Sequence, residues 1–203
     1  YPMSKIAASE AVQCPTLLQN GFGAHRIEGI GDKHVPWIHN VKNTDMVIAV
    51  DDETPMQLMR LFNEPAGREY LGSKGVPTEL LDQLDLLGIS GIGNLVAAVK
   101  FAKYYELGKN DLVMTVLTDS MEMYASRLDE LNRDLGGFTP VDAAAVSAQH
   151  IDGLAMDNMK ELSYYDRKRI HNLKYFTWVE QQGKTYEEIQ SQWYDDDYWS
   201  TEG

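Results

Sequence analysis

The chain has 203 residues, 43% hydrophobic and 24% charged, and 31 acidic against 18 basic side chains give it a formal charge of −13. A charge this negative, without a basic patch, argues against nucleic-acid binding, and no run of about 18 apolar residues exists to span a membrane. The single cysteine, Cys14, cannot form an intramolecular disulfide or a cysteine-based zinc site, so we expect a cytoplasmic protein.

The first part of the chain predicts a helix, a strand and a second helix. Residues 4–12 are rich in alanine, with Ser4 as the N-cap, and predict a short helix. Residues 45–50, Asp-Met-Val-Ile-Ala-Val, form an apolar, β-branched run of strand length. The acids at 51–53 and Pro55 are typical of a helix start. The buried side of that helix is expected to consist of Met56, Met59, Leu61 and Phe62.

The middle of the chain repeats this alternation. Residues 77–84 predict a short helix, residues 86–90 a brief apolar run, and residues 91–105 a longer helix. Its apolar face would comprise Ile92, Leu95, Val96, Val99 and Ala102. Residues 112–117 are the strongest strand pattern, continuous and apolar like a strand buried on both faces, and a helix ending at Gly136 follows. This order predicts an α/β fold with a parallel sheet covered by helices.

Beyond Gly137 the chain predicts helices and no strand. Residues 164–180 form a long aromatic-rich pattern with Ile170, Leu173 and Phe176 at helical spacing. Residues 193–199 mix aromatic side chains with three consecutive acids. We expect a solvated terminus whose aromatic rings pack on the rest of the protein.

Three turns are the candidate sites: the first turn (His25–Gly31), the second turn (Gly88–Asn94) and the third turn (Thr118–Ser120). In open α/β sheets ligands bind at the carboxyl ends of strands, where the second and third turns are expected. None matches the dinucleotide fingerprint or the P-loop, and each alone is typical of structural turn chemistry. The remaining candidates favour core or surface roles. Cys14 lies near the end of the alanine-rich segment, before Pro15, and is expected to be a small buried hydrophobe. The dispersed histidines have no partner at metal-ligand spacing: His34, His39, His150 and His171.

Four segments, taken in chain order, resemble one enzyme family. His25-Arg-Ile-Glu-Gly-Ile-Gly31, followed by Val35-Pro36, resembles the pattern His-Lys-Ile-Gln-Gly-Ile-Gly … Ile-Pro. Met46–Glu53 resembles the strand and acidic helix start that follow it. Gly88-Ile-Ser-Gly and Val116–Tyr124 resemble Gly-Ile-Ser-Ser-Gly and Val-Leu-Pro-Asp-Ser-Gly-Glu-Arg-Tyr. These are patterns of the fold-type-II pyridoxal-phosphate enzymes, such as cysteine synthase, cystathionine β-synthase and threonine synthase, and the resemblance covers about residues 1–128.

The resemblance implies a set of contacts to pyridoxal 5′-phosphate. Ser120 matches the serine whose hydroxyl bonds to the pyridine nitrogen, a neutral contact that suits β-elimination and β-replacement. The first turn matches the loop on the substrate side of the cofactor, the second turn matches the wall of the ring, and Tyr124 matches a tyrosine near the site. The cofactor-binding residues implied are Ser120, Gly88, Ile89, Ser90, Gly29, Ile30 and Gly31.

Other parts of the family pattern have no match in this chain. The Schiff-base lysine, the substrate-carboxylate loop and the glycine-rich phosphate loop precede the first matching segment in the family, no Gly-x-Gly-Gly run occurs here, and Lys33 is not assigned the catalytic role. The chain begins with Tyr1-Pro2 rather than Met. We therefore expect the C-terminal part of a fold-type-II enzyme, of the tryptophan-synthase-β-like fold, over residues 1–128, with a helical extension over 129–203. An N-terminal segment or subunit would complete the sheet and cover an apolar face.

The resulting functional prediction is a pyridoxal-phosphate-dependent lyase or synthase. Its substrate would be an amino acid of the serine, O-activated serine, cysteine or threonine type, and the chain alone would be inactive because its lysine and phosphate loop lie elsewhere. The family implies a dimer or another homo- or hetero-oligomer. Two alternatives stay open: a non-catalytic regulatory or assembly module that keeps the fold and works through its aromatic and acidic tail, and a plain α/β domain that binds a small molecule.

Overall fold

The computed structural model describes residues 3–201 and shows a mixed α/β protein. The strands are β1 (Ala7–Ala11), β2 (Met46–Val50) and β3 (Met159–Glu161). The helices are α1 (Thr16–Gln19), α2 (Glu53–Asn63), α3 (Pro65–Ser73), α4 (Thr78–Leu81), α5 (Ile89–Tyr104), α6 (Ala125–Leu135), α7 (Pro140–Ser147), α8 (Tyr164–Lys174), α9 (Tyr186–Tyr194) and α10 (Tyr198–Thr201). Short 3₁₀ turns cover Val41–Asn43, Leu84–Leu86 and Met121–Met123, and π-helical turns cover Ala148–Asp152 and Tyr175–Val179.

Contacts within the chain group the described residues into two compact units. The sheet unit comprises residues 3–24, 31–49 and 158–201, and it contains the sheet with α1, α8, α9 and α10. The helical unit comprises His25–Ile30 and Val50–Asp157, and it contains α2 to α7. The boundary near residue 128 that the sequence suggested stays a prediction.

The sheet unit is built on three strands in the order β1-β2-β3. The prediction of β2 is confirmed, and all five of its residues are buried. The expected parallel sheet is wrong for β2 and β3, which run antiparallel with Met46 opposite Glu161 and Ile48 opposite Met159. No strand was expected at β3 because its residues, Met-Lys-Glu, contain no apolar run. Backbone pairing with β2, rather than side-chain burial, defines this edge strand.

The helix expected over residues 4–12 is also wrong, because Ala7–Ala11 form the other edge strand. The carbonyl of Ile6 accepts hydrogen bonds from the amides of Asp45 at 2.8 Å and Met46 at 3.2 Å, and the Asp45 carboxylate accepts from the Ile6 amide at 2.9 Å. Alanine favours a helix by less than about 1 kcal/mol per residue, which pairing with a buried strand outweighs.

The strongest strand pattern in the sequence, Leu112–Leu117, is not a strand. The segment has no regular structure, and its apolar side chains are largely exposed, with Leu112 84% and Met114 85% exposed. The Asn94 amide donates to the carbonyl of Val116 at 2.8 Å, which holds the end of the segment against α5. A strand needs a neighbour for its backbone groups, and no described segment pairs with this one. An apolar stretch therefore faces solvent.

The helical unit packs α2 against α3, α5 and α7. The predicted α2 is confirmed, and its expected core residues are buried: Met56, Met59, Leu61 and Phe62. No single helix among the described residues is long and apolar enough to cross a membrane. The segments Thr78–Leu86 and Ile89–Tyr104 reach that length and composition only when they are counted together, and the chain bends between them.

Helix α5 is confirmed, but its buried face differs from the prediction. Val99 is 39% exposed, whereas the buried residues are Ile89, Ser90, Gly91, Ile92, Gly93, Val96, Ala97 and Lys100. A Cβ on Gly93 would lie 3.2 Å from both Ile27 and Ile30, so the glycine allows these side chains to pack closely on the helix. The first turn therefore packs on the buried face of α5. The apolar run 86–90 ends a 3₁₀ turn and begins α5 instead of forming a strand.

The C-terminal helices agree with the prediction except in the face that they bury. The long helix appears as α8 followed by the π-helical turn, and Ile170 is buried while Phe176 is 57% exposed. The described part of the tail packs through Trp193, which is 6% exposed, whereas Tyr194 is 64% exposed. A core cluster of the sheet unit joins α8 to the sheet through Val35, Val41, Val47, Leu162 and Ile170.

Candidate functional site

The second and third turns meet in the helical unit. The Gly88 amide donates to the carbonyl of Asp119 at 2.9 Å. Gly88 has an ordinary φ of −75°, but a Cβ on it would lie 2.6 Å from Cγ of Asp119 and 2.9 Å from Cε2 of Tyr124. Glycine is therefore required for space rather than for backbone conformation. The two turns come together through a helix start and a loop, not through the strand ends that we expected.

The first turn joins the same place through Ser90. The Ser90 hydroxyl donates to the backbone carbonyl of Glu28. Gly29 has a φ of +92°, and a Cβ on it would lie 2.8 Å from Oγ of Ser90, so both conformation and space require glycine here. Residues from all three turns thus form one cluster on the helical unit, which we call the turn cluster: His25–Ile30, Gly88–Gly93 and Thr118–Tyr124.

Tyr124 and Asp119 form a partly buried polar pair within the turn cluster. The Tyr124 hydroxyl donates to the Asp119 carboxylate, which also lies 3.3 Å from the hydroxyl of Thr118. Burial, with the hydrogen bond to Asp119 and its negative charge, raises the pKa of Tyr124 to about 12. The phenol therefore stays protonated at neutral pH and holds the residue next to Ser120 in place, and it is not a base.

Replacing Asp119 with asparagine should lower the pKa of Tyr124 toward its ordinary value of 10, because the amide accepts a hydrogen bond but carries no charge. The measurement is a ¹³C NMR titration of tyrosine-labelled protein upward from neutral pH, with the signal assigned by Tyr124→Phe. Asp134→Asn, an exposed change on α6, should leave the titration unaltered. An unchanged pKa of Tyr124 in the Asp119→Asn variant would contradict the hydrogen bond between Tyr124 and Asp119.

Two residues without a predicted role hold the first turn. The buried carboxylate of Asp52 accepts from the amide of Arg26 at 2.6 Å and from that of Ile27 at 3.4 Å. Arg127 on α6 donates to the carboxylate of Glu28. The sequence indicated only a helix start at Asp52, and its position directly after a buried strand was the available signal. Nothing in the sequence pointed to Arg127, because its partner Glu28 lies 99 residues away in the chain.

The predicted cofactor-binding residues lie in the turn cluster, apart from Gly31, which belongs to the sheet unit. Ser120 is half-buried and precedes the 3₁₀ turn Met121–Met123, to which its side chain makes no capping hydrogen bond. Ile89 and Ser90 are buried, Ile30 is 7% exposed and Gly29 is exposed. Whether these residues bind a cofactor stays a prediction.

The donors of the turn cluster suit only one part of a pyridoxal 5′-phosphate molecule. The Ser120 hydroxyl can bond to a neutral ring nitrogen, since it makes no capping hydrogen bond to the 3₁₀ turn that follows it. The three turns contain no lysine, and a phosphate needs several convergent N–H donors or cations. The cluster thus fits the ring-nitrogen edge, and it does not provide for the phosphate or for covalent attachment.

Histidines and the cysteine do not add to the site. Among residues 3–201, no three His, Cys, Asp or Glu side chains are grouped so that they could hold a metal ion. Cys14 is buried, as expected, and Lys33 is exposed. The better-buried histidines each form a hydrogen bond within the protein: His39 with Thr44, His150 with Thr54 and His171 with the Ile189 carbonyl.

Comparisons with known proteins point to cysteine synthases. The cysteine synthase of Staphylococcus aureus strain Mu50 / ATCC 700699 is 31% identical over 126 residues, which is 62% of this chain and 34% of that protein. Cysteine synthase B of Campylobacter jejuni is 28% identical over 121 residues, or 60% of this chain and 33% of that protein. No family model and no solved structure matches.

The extent of this similarity is partial. The chain spans about a third of the length of the curated relatives that it matches. It is similar to cysteine synthases over about three fifths of its own length.

Proposed function

From this similarity we propose that the chain is the C-terminal part of a pyridoxal-phosphate-dependent enzyme. The reaction would be β-replacement or β-elimination on an amino acid of the serine, O-activated serine, cysteine or threonine type. The observation that carries the proposal is the convergence of the three turns, with Ser120 beside the Gly88–Asp119 junction. The similarity to cysteine synthases supports the same conclusion.

In this proposal Ser120 binds the ring nitrogen of the cofactor through its hydroxyl. When bound, pyridoxal phosphate supplies an electron sink for negative charge at the α-carbon of an amino acid. A neutral serine does not force a proton onto the ring nitrogen. Ser120 is positioned through its neighbour Asp119. The Asp119 carbonyl accepts a hydrogen bond from the Gly88 amide, and its carboxylate accepts one from the Tyr124 hydroxyl. The second turn lies beside the pyridine ring of the cofactor, and the first turn lies on the side where the substrate binds.

The lysine that attaches the cofactor and the phosphate donors come, in our proposal, from an N-terminal segment or partner chain, the complement. The exposed segment Leu112–Leu117 supports this assignment, since an apolar run of strand length lies unpaired on the helical unit. We propose that it becomes a strand when it pairs with the complement, because unpaired backbone readily accepts an added strand. The assembly that the resemblance implies is a cytoplasmic oligomer, at least a dimer.

The test combines the chain with the polypeptide encoded directly upstream and adds pyridoxal 5′-phosphate. We expect a visible absorption band of bound cofactor in the mixture and none with the chain alone. Hydrogen exchange at residues 112–117 should slow in the mixture, because new backbone hydrogen bonds protect the amides. Ser120→Ala should weaken cofactor binding about five- to tenfold, the effect of one hydrogen bond worth about 1 kcal/mol. The exposed Ser126→Ala is the matched control.

Three outcomes would count against the enzyme. An upstream sequence without a lysine and an Asn- or Gly-rich phosphate loop would favour the non-catalytic module. Absence of the band, together with no effect of Ser120→Ala, would end the enzymatic proposal. Tight binding of the cofactor by the chain alone would instead favour the independent small-molecule-binding domain.

A further inference from the structure

The sheet unit contains a cavity that has no part in the proposed enzymatic function. Its volume is about 360 Å³, and it lies between the 3₁₀ turn before β2, the start of α8 and the end of α9. The residues that line it are Lys42, Tyr164, Arg167, Trp193 and Tyr194. Small-molecule sites span about 300–1,000 Å³, so the cavity suits a compact ligand.

Aromatic rings form much of the cavity lining. The rings of Tyr164 and Trp193 meet edge to face with their centroids 5.7 Å apart. Trp193 is 6% exposed, and its backbone carbonyl accepts from Lys42 at 3.0 Å, so this ring is held firmly. Tyr164 and Tyr194 are 58% and 64% exposed, which leaves ring surface for a ligand. Such a lining favours a flat, apolar body.

The charges around the cavity are positive, although the chain carries −13. Arg167 pairs with Asp45 at 3.1 Å, and Lys42 pairs at 3.7 Å with Asp196, whose side chain is 99% exposed. Lys168 is a third cation beside the cavity, next to the Trp193 and Tyr194 rings, whereas the exposed Asp195 and Asp197 are not among the lining residues. The neighbouring Asp166 is already paired with Lys160. The local excess of positive charge favours an anion.

Lys168 is the unusual member of this group. Its Nζ lies 4.5 Å from the ring centroids of both Trp193 and Tyr194, which line the cavity. The atom is buried and has no hydrogen-bond partner among the described residues. Burial lowers the pKa of Lys168. A buried ammonium without an acceptor is unfavourable, and a bound anion would supply the missing partner.

We propose that this cavity binds a small organic anion with an aromatic body. Its ring packs against the exposed rings of Tyr164 and Tyr194, and its acidic group accepts hydrogen bonds from Lys168 and Arg167. A cationic ligand does not fit, because Lys168 already lies over two of the rings and both charged residues that line the cavity, Lys42 and Arg167, are cations. The site uses none of the residues of the turn cluster, so it is a second binding function of the chain.

The test is isothermal titration calorimetry of the full chain with three probes that share one ring system. Indole-3-acetate should bind, indole-3-acetamide should bind at least tenfold more weakly, and tryptamine should not bind. Phenyl phosphate is a fourth probe that separates a preference for phosphate from one for carboxylate. Equal affinities for the acid and the amide, preference for tryptamine, or binding of none of the probes would overturn the proposal.

Two variants locate the binding site. Lys168→Met keeps an apolar side chain over the rings but removes the charge, so the preference for acid over amide should fall about tenfold or more. Tyr194→Ala removes an exposed ring and should weaken all indole probes without loss of folding, which circular dichroism checks. Lys5→Met, which does not line the cavity, is the control. Unchanged discrimination in Lys168→Met would assign any binding to another site and contradict the proposal.

Discussion

Replacement of Lys174 by methionine is expected to lower the free energy of unfolding by about 3 kcal/mol or more. Lys174 is fully buried in the sheet unit. Its Nζ donates to the carbonyls of Trp37 and His39, both at 2.8 Å, and to Oε1 of Gln192 at 2.7 Å. Methionine fills a similar volume but donates no hydrogen bond, so these three oxygens lose the Lys174 donor, while the Trp37 carbonyl keeps its bond from the Gln192 amide at 3.1 Å.

Chemical unfolding measures this effect, and Lys184→Met is the matched control. Lys184 lies 4.8 Å from the Trp37 ring and pairs with Glu188 at 3.0 Å, but it is partly exposed. An exposed pair of this kind contributes about 0.3–0.5 kcal/mol. Similar losses in the two variants would show that the Lys174 hydrogen bonds are not needed for stability.

The effect of Lys174 should also depend on pH. Burial lowers the pKa of Lys174 from 10.5 to about 7. Between these values the unfolded chain binds more protons than the folded one, so the free energy of unfolding rises with pH by up to about 1.4 kcal/mol per unit. The stabilisation is complete above the unfolded value and is lost as pH falls through the folded value. Lys174→Met should lack this increase, so the difference from wild type should widen at alkaline pH.

Gly88→Ala is expected to lower the free energy of unfolding by about 2–3 kcal/mol and to separate the second turn from the third. The added methyl group would lie 2.6 Å from Cγ of Asp119 and 2.9 Å from Cε2 of Tyr124. Both neighbours belong to a hydrogen-bonded pair, so neither moves without loss of that bond. Because φ at Gly88 is −75°, the cost arises from space and not from the backbone.

The measurement is urea unfolding together with the Tyr124 titration, which should shift as the ring leaves Asp119. Gly137→Ala is the control, since no described atom lies within 4 Å of the position that its added methyl group would take, and its backbone is not left-handed. In the proposed mixture with the complement, Gly88→Ala should also weaken cofactor binding through the displaced Ser120. Equal stability of the two variants would show that the turns do not pack as described.

Local patterns in the sequence were sufficient for much of the helical unit. The apolar run at β2 and the acids and proline after it correctly predicted a buried strand followed by α2. Helix α5 was recognisable from its apolar spacing, and Gly136, with φ of +82°, ends α6 as expected. The three turns were identified as one set only by their order, through the resemblance to cysteine synthases. Their contacts in the helical unit agree with that selection.

Features that depend on a distant partner could not be read from the sequence. Residues 7–11 carry a helical composition but pair with β2, and β3 consists of three residues recognisable only by their pairing. The buried face of α5 includes Gly93, on which Ile27 and Ile30 pack, and the apolar spacing along the helix does not reveal this contact. Asp52 and Arg127 act on the first turn across the fold.

The sequence by itself thus determined which segments are apolar, where helices start and end, and which turns share a family pattern. The tertiary structure decided which apolar segments are buried. Leu112–Leu117 has the composition of a core strand but is exposed, whereas Lys174 has a charged side chain but lies fully buried among three oxygens. The physical reason is that strand pairing and burial of a polar group both require partners, and partners far apart in the chain are set only by folding.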